Sequence, residues 1–260
     1  MKMKYLNLDF SFTFINPVYA DIYPAFALRS VLGYQLKRMH CVNRSVLCAD
    51  CPFNYSCSYA YVFETIIEKD TVVLKGRNRA SHPFRIICQT QPNQKLQTLN
   101  FRIQLFGKAV IYVPHVVYAF SEAGKYGLFR DRAQYSVSSV LCEGIKVFDG
   151  NRILQNLLKE NTLEFDPEYN ELTEFSCMIQ CNTPLRFKSA GKYQSDFNAS
   201  SFLDACSRRV STLFYLYSDS ELLSFPNILP ANKDCFITEK NTKWVNYKHW
   251  SSRQRALMEL

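Results

Sequence analysis

The sequence predicts a protein of the α+β class, in which strands and helices are mixed along the chain rather than strictly alternating. Three observations support this prediction: a strand-like start with alternating apolar residues, an amphipathic helix directly after it, and later strand-like segments separated by a second helix. A further strand and helix in the last third of the chain suggest that the fold is duplicated.

The first strand and the first helix are the clearest elements. In the strand, every second residue is apolar: Leu6, Leu8, Phe10, Phe12 and Phe14. A turn at residues 17–24 follows, and apolar residues at helical spacing then indicate a helix: Ala25, Leu28, Leu32, Leu36 and Met39. At about 100° per residue, four further residues lie along one side of that helix: Arg29, Gly33, Lys37 and His40.

The rest of the first unit consists of short strands and one more helix. Strand-like segments are expected at residues 71–74, 100–107 and 135–141, and a helix at residues 116–120. Residues 82–84 open a short apolar run that ends at residue 88. Residues 41–60 form a polar, cysteine-rich insertion directly after the first helix. We expect the first domain to span residues 1–150.

The second unit follows an acidic linker at residues 151–170, where a short helix precedes a hairpin turn at Asp166-Pro167. Residues 172–181 are expected to form a strand and residues 202–217 a helix, with Asp196 or Asn198 as its N-cap. We expect the second domain to span residues 171–260.

Composition and charge limit the classes of function. The chain has 260 residues and a net charge of +8, with 47% hydrophobic residues, which is typical of a globular protein. Neither a membrane-spanning run nor a signal peptide is visible, so we expect a cytoplasmic protein that does not enter a membrane. Six acids and no base lie between residues 160 and 174, whereas five bases and no acid lie between residues 240 and 255. Such segregation suits a protein with one side that faces a polyanion.

Four of the ten cysteines have the spacing of metal ligands, C-x6-C-x2-C-x5-C: Cys41, Cys48, Cys51 and Cys57. Four thiolates suit structural zinc, and an iron–sulfur cluster also fits them. The alternative is that they are buried free cysteines without a metal. The other six lie among apolar neighbours and are expected to be small buried side chains: Cys88, Cys142, Cys177, Cys181, Cys206 and Cys235.

The candidate catalytic group is a histidine beside cations. The sequence contains no H-E-x-x-H, P-loop or dinucleotide motif. RNA carries its own nucleophile, the 2′-hydroxyl, so its cleavage needs only a general base, a general acid and cations around the phosphorane. His40, Lys37 and Arg29 could supply this chemistry.

Basic residues set among aromatic ones indicate a nucleic-acid partner, because bases stack on aromatic rings while lysine and arginine contact phosphates. The candidate RNA-binding residues are Lys125, Arg130, Arg132, Arg186, Lys188, Lys192, Arg208, Arg209 and Arg253.

Taken in order, several segments resemble the CRISPR-associated RAMP endoribonucleases that process precursor CRISPR RNA, in the branch that carries a four-cysteine insert. The segments are 28-LRSVLGYQLKR-38, 51-CPFNYSCSYAYVFE-64, 82-HPF-84, 101-FRIQLFGKA-109, 124-GKYGLFRDR-132, 183-TPLRFK-188, 208-RR-209 and 251-SSRQRALMEL-260. The similarity covers nearly the whole chain, and TPLR-x-K and SSRQ are its most specific parts.

This resemblance implies two tandem ferredoxin-like (RRM-like) domains and metal-independent cleavage within repeat RNA, leaving a 2′,3′-cyclic phosphate. It also implies a catalytic histidine near the first helix, and His40 is the position that matches. One feature departs from the family: its members continue past the SSRQ segment into a glycine-rich loop, whereas this chain has no glycine after Gly191. We therefore expect a truncated or split second domain, with subunits of a CRISPR effector complex or a missing C-terminal half as partners.

Three hypotheses follow. The first is an endoribonuclease with His40 as general acid or base, Lys37 and Arg29 near the phosphate, and no cofactor for catalysis. The second is a non-catalytic RNA-binding subunit of the same superfamily. The third is a regulatory or redox module whose functional centre is the cysteine cluster.

Overall fold

The computed structural model describes residues 1–67, 74, 79–165, 176–189, 191–194, 196–219, 235–245, 248–251 and 256–259. The chain divides into two units, the first comprising Met1–Asp166 with Thr212–Phe225 and the second Pro167–Ser211 with Pro226–Leu260. The described helices and strands are, in chain order, β1 (Lys2–Ala20), α1 (Pro24–His40), β2 (Phe84–Ile87), β3 (Gln94–Phe106), α2 (Val113–Tyr126), β4 (Tyr135–Cys142), β5 (Ile145–Lys146), β6 (Asn161–Glu164), β7 (Lys188–Ser189), β8 (Lys192–Tyr193), α3 (Ala199–Tyr217), β9 (Lys248–Ser251) and β10 (Ala256–Glu259).

The first unit is a mixed α+β structure built on an antiparallel sheet. The sheet order is β2-β3-β1-β4-β5, and β6 pairs with the start of β1. Strand β1 lies between β3 and β4 and is antiparallel to both, as is β2 to β3. The chain therefore runs β-α-β-β-α-β through its first four strands and two helices.

The apolar alternation of β1 produces the covered face of this sheet. Phe10, Phe12 and Phe14 are buried, as are the residues of α1 and α2 that share their core. Among them, Leu28, Leu32 and Leu36 form the predicted apolar stripe of α1. Both helices therefore pack on the same face of the sheet.

The helices begin and end where their sequences allow it. Helix α1 has Pro24 at its start, where a missing N–H costs no hydrogen bond. Helix α2 ends at Gly127, whose φ of 80° is accessible to glycine. In α3 the side chain of Asn198 accepts a hydrogen bond from the N–H of Ser201 at 2.9 Å, so Asn198 is the N-cap.

Some predicted elements differ in the structure. Residues 176–181 form no strand, and Met178 is 92% exposed there, because this segment has no neighbouring strand to pair with among the described residues. The predicted helix after residue 150 is a single 3₁₀ turn at Gln155–Leu157. The turn at Asp166-Pro167 and most of the strand at residues 71–74 lie outside the described residues.

The cysteines outside the four-cysteine cluster differ in their burial. Cys88 and Cys142 are buried as predicted, but Cys177, Cys181 and Cys235 are exposed, because their segments are irregular rather than parts of a packed strand. Within the described ranges, no helix has both the length and the apolar character needed to cross a membrane.

Candidate functional site

Two histidines meet where α1 ends and α2 begins. His40 is the last residue of α1, and His115 lies in the first turn of α2. Their ring centroids are 4.7 Å apart, and the rings are tilted by 52°. Nε2 of His40 and Nδ1 of His115 are buried and have no hydrogen-bond partner within the described part of the chain. We call these two residues the histidine pair.

The surroundings of the histidine pair favour an uncharged His40. Burial lowers the pKa of His40, and the neighbouring His115 lowers that pKa further. A neutral imidazole has one nitrogen that can accept a proton. His40 is thus suited to act as a general base near neutral pH.

Two tyrosines line the same region. The rings of Tyr112 and His115 are 5.6 Å apart in an edge arrangement, and Tyr61 lies 5.8 Å from Tyr112. Burial raises the pKa of both phenols. The neighbouring Tyr112 raises the pKa of Tyr61 further, and Cys57 raises the pKa of Tyr112 further. Both tyrosines therefore keep their protons at neutral pH and can donate hydrogen bonds.

Lys37 lies one turn before His40, with its Nζ 5.9 Å from the centre of the Tyr59 ring. Arg29 has different surroundings: its guanidinium is 2.7 Å from Nε2 of His82 and 4.8 Å from the centre of the Phe63 ring. Arg29 and His40 are eleven positions apart, which is about 16 Å along a helix axis. The shared helical side therefore brings Lys37, but not Arg29, near the histidine pair.

Gly33 explains how the segment after the cysteines reaches α1. A Cβ at Gly33 would lie 2.3 Å from the Phe63 ring, so only glycine allows this close approach. Phe63 stacks on His82, with centroids 5.4 Å apart, and His82 stacks on Phe84 at the same distance.

The cysteine-rich segment begins directly after α1, at Cys41. All four cysteines are free and partly buried, and Cys41 donates to the carbonyl of Asn43 at 3.4 Å. Burial raises the pKa of Cys48; Glu64, Cys41 and Cys57 raise it further, while Lys37 opposes them. Among the described residues, no three His, Cys, Asp or Glu side chains are placed to hold a metal ion together. Zinc or an iron–sulfur cluster stays a prediction from the spacing of the cysteines.

In the second unit, the β7-β8 hairpin gathers several predicted RNA-binding residues around one aromatic ring. The Arg186 guanidinium is 3.6 Å and the Lys188 ammonium 4.5 Å from the centre of the Tyr193 ring, which is 51% exposed. Lys192 is exposed on the same hairpin, and Arg208 of α3 donates to the carbonyl of Lys188 at 3.1 Å. We call this group the basic hairpin.

The other predicted RNA-binding residues are distributed differently. Lys125 forms an ion pair with Glu122 at 2.6 Å, which offsets part of its charge. Arg130 and Arg132 are exposed in the turn between α2 and β4, and Arg209 is exposed on α3. Arg253 lies outside the described residues.

His115 is the residue of this site that sequence reasoning missed as His40's neighbour. The two are 75 positions apart, and only the β-α-β-β-α-β path brings the end of α1 beside the start of α2. A usable signal was the apolar 3.6-residue period from Val113 onwards, which places His115 in the first turn of a helix.

The chain matches the model of a known family. The model of the AF_1859_N family, described as an N-terminal domain, matches residues 3–164, which is more than half of the chain. The chain belongs to this family. No curated protein matches it significantly.

Proposed function

We propose that this member of the AF_1859_N family is an endoribonuclease that cleaves CRISPR repeat RNA within precursor transcripts. The observation that carries the proposal is the contact between His40 and His115, because two adjacent imidazoles can serve as base and acid in one reaction. The repeat substrate is proposed on the sequence resemblance alone.

In the proposed reaction, neutral His40 removes the proton from the 2′-hydroxyl of the RNA. The 2′-oxygen attacks the adjacent phosphorus, and His115 gives a proton to the departing 5′-oxygen. The products are a 2′,3′-cyclic phosphate and a 5′-hydroxyl end. Lys37, one turn from His40, offsets the negative charge of the phosphorane.

The path of the first unit supports the assignment to the RAMP superfamily. Its β-α-β-β-α-β order, with sheet order β2-β3-β1-β4, supports the proposal of a ferredoxin-like domain. Residues 41–60, which follow α1, are proposed to be an insertion in this motif. A second ferredoxin-like domain is proposed from the resemblance, since the described part of that unit contains one helix and two hairpin-like strand pairs.

The proposed RNA contacts differ from those of RRM proteins, which stack bases on aromatic residues of the two central strands. The corresponding outward residues of β1 and β3 are polar here, including Asn7, Asp9 and Arg102. The basic hairpin instead combines cations with an exposed tyrosine, as in single-strand binding surfaces.

Cleavage of end-labelled repeat RNA in excess EDTA tests the proposal, with bound RNA measured in the same samples. We expect His40→Ala and His115→Ala each to slow cleavage by about 10²–10⁴-fold, the usual contribution of a general acid or base. Binding should be retained in both variants. Lys108→Gln, an exposed change outside the site, is the matched control. Unchanged cleavage in both histidine variants would refute the assignment.

A non-catalytic RNA-binding subunit is the second candidate, favoured by the basic hairpin, which needs no catalytic residue to bind RNA. It predicts binding without cleavage and affinity that falls steeply with salt. In that case the double variant Arg186→Gln, Lys188→Gln should have a shallower dependence of RNA affinity on salt, by the equivalent of about two phosphate contacts. His40→Ala should leave the RNA affinity unchanged.

A further inference from the structure

A groove of about 560 Å³ lies in the first unit, away from the histidine pair. It is formed where the pairing of β1 with β3 is interrupted, beside the start of β3 and the turn before β4. The residues that matter here are Tyr19, Ile15, Lys95, Arg132 and Asp131. The volume falls in the range of sites for small organic ligands.

The groove owes its shape to a break in strand pairing. Between Thr13 and Val18 the register of β1 on β3 shifts, so residues 14–17 are not paired with β3. Two hydrogen bonds hold this bulge: Gln97 Nε2 donates to the Phe14 carbonyl at 2.6 Å, and the Ile15 N–H donates to the Gln134 carbonyl at 3.1 Å. The floor of the groove is thus fixed by the fold.

The turn that closes one side is strained. Phe129 and Arg132 have φ values of 64° and 49°, a left-handed conformation that is unfavourable for both. A Cβ at Gly127 would lie 2.0 Å from the Arg132 carbonyl oxygen, so the turn also requires that glycine. Such strain persists where the surroundings impose it and is concentrated at ligand-binding positions.

The groove is lined by apolar side chains and by cationic side chains. Tyr19 and Ile15 are 53% and 68% exposed. Lys95 is the cross-strand partner of Tyr19, and Arg132 supplies a second cation. Within the described residues no ion pair engages Lys95, Arg132 or Asp131, so both cations are available to an anionic ligand.

We propose that this groove holds one nucleotide of a single-stranded RNA, with the base on Tyr19 and the phosphate at Lys95 and Arg132. Base stacking on an exposed tyrosine beside cations is the usual pattern of single-strand recognition. Asp131 can accept a hydrogen bond from a ribose 2′-hydroxyl, which DNA lacks. This inference rests on the proposed RNA-binding function and adds a subsite to it.

The position of the groove indicates a contact remote from the cleaved bond. Asn16 and the turn before β4 lie near the C-terminal end of β1, whereas β3 ends opposite Tyr5, just before α2 and His115. Ten residues of strand separate these ends, about 33 Å. The groove therefore binds RNA several nucleotides away from the histidine pair.

Binding of a fluorescent ten-nucleotide RNA to the full chain tests the inference. We expect Tyr19→Ala to weaken binding by about fivefold or more, and Tyr19→Phe to retain it, because stacking needs the ring. Lys95→Gln should weaken binding and lower the salt slope by about 1. Tyr118→Ala and Lys108→Gln are the matched controls, since Tyr118 is 54% exposed on α2 and Lys108 is exposed elsewhere.

Normal RNA affinity in folded Tyr19→Ala and Lys95→Gln overturns the subsite, even if His40→Ala abolishes cleavage. Loss of binding in these variants supports the subsite, even if the chain cuts no RNA. Free AMP and UMP are tested as competitors: displacement of the RNA only at far higher concentration supports a strand site. Displacement at equal concentration would make the groove a mononucleotide site and overturn the strand assignment.

Discussion

The two faces of the sheet in the first unit are stabilised in different ways. On the face covered by the helices, aromatic rings pack directly: Phe10 stacks on Phe101 with centroids 5.1 Å apart, and Phe12 on Tyr135 at 4.1 Å. On the opposite face, Asp9 accepts two hydrogen bonds from Arg102, at 2.7 and 2.8 Å. The same β1 strand supplies both faces because its side chains alternate.

The two faces therefore contribute differently to the stability of the protein and to the proposed recognition of RNA. The covered face gains stability by removing aromatic surface from water. The centre of the outer face satisfies its polar groups internally, as where Gln104 donates to Asn7 at 2.9 Å. Among the described residues, no exposed aromatic ring lies at the centre of either face, so the proposed RNA contacts lie at the ends of the sheet and in the second unit.

The largest effect should come from the covered face. Phe12→Ala removes a fully buried ring that contacts Phe101, Phe120 and Tyr135, and should lower the free energy of unfolding by about 3–5 kcal/mol. Thr13→Ala, the next residue on the outer face, should change it by less than about 0.5 kcal/mol. Urea unfolding of both variants measures this, and equal losses would contradict the comparison.

A smaller effect should come from the contact between helix and sheet. A Cβ at Gly124 in α2 would lie 2.2 Å from the carbonyl oxygen of Tyr135 in β4. Gly124→Ala should therefore destabilise the protein by about 1–3 kcal/mol, although glycine to alanine usually favours a helix.

Lys125→Ala, at the neighbouring exposed position of the same helix, is the control, and thermal unfolding is the measurement. If Gly124→Ala raised the melting temperature, the close approach of α2 to β4 would be wrong.

The sequence predicted the contacts that depend on local periodicity, but not those between residues far apart in the chain. The alternation in β1 and the apolar stripe of α1 predicted the covered face, because burial depends on local periods of two and 3.6 residues. The partners on the outer face were not predictable, since Asp9 and Arg102 are 93 positions apart and meet only through strand register. The same holds for His40 and His115.

The candidate site was predicted in part for the same reason. His40 and Lys37 share one helix, so their proximity follows from helical spacing alone. The surroundings of Arg29 depend on Phe63 and His82, which belong to a segment without a regular period. The left-handed residues Phe129 and Arg132 that shape the groove carry no sequence signal, because neither is a glycine or an asparagine.

The histidine pair should have an intermediate effect, which is a dependence of the stability of the protein on pH. Because burial and His115 lower the pKa of His40, the folded state favours neutral His40. His40 therefore contributes stability above the unfolded value of about 6.5, and that contribution is lost as the pH falls through the lower folded pKa.

His115→Gln removes one of the two causes, so the pKa of His40 should rise towards its ordinary value. The acid limb of any cleavage profile that depends on His40 should move to higher pH in the same direction. NMR titration of the His40 ring measures the shift, with Lys108→Gln as the control. An unchanged or lower pKa in His115→Gln would show that the two rings are not coupled.

The smallest effect should come from the outer face. Asp9 and Arg102 form a two-fold hydrogen-bonded ion pair, but their side chains are 35% and 46% exposed, so water screens much of the attraction. A double-mutant cycle with Asp9→Asn and Arg102→Gln should give a coupling of about 0.2–1 kcal/mol that shrinks in 1 M salt. The cycle is needed because Asn7 and Glu143 lie in the same polar network and respond to either single change. A coupling above about 2 kcal/mol, insensitive to salt, would mean that another part of the chain shields this face from water, and the face could then no longer be counted as solvent-exposed.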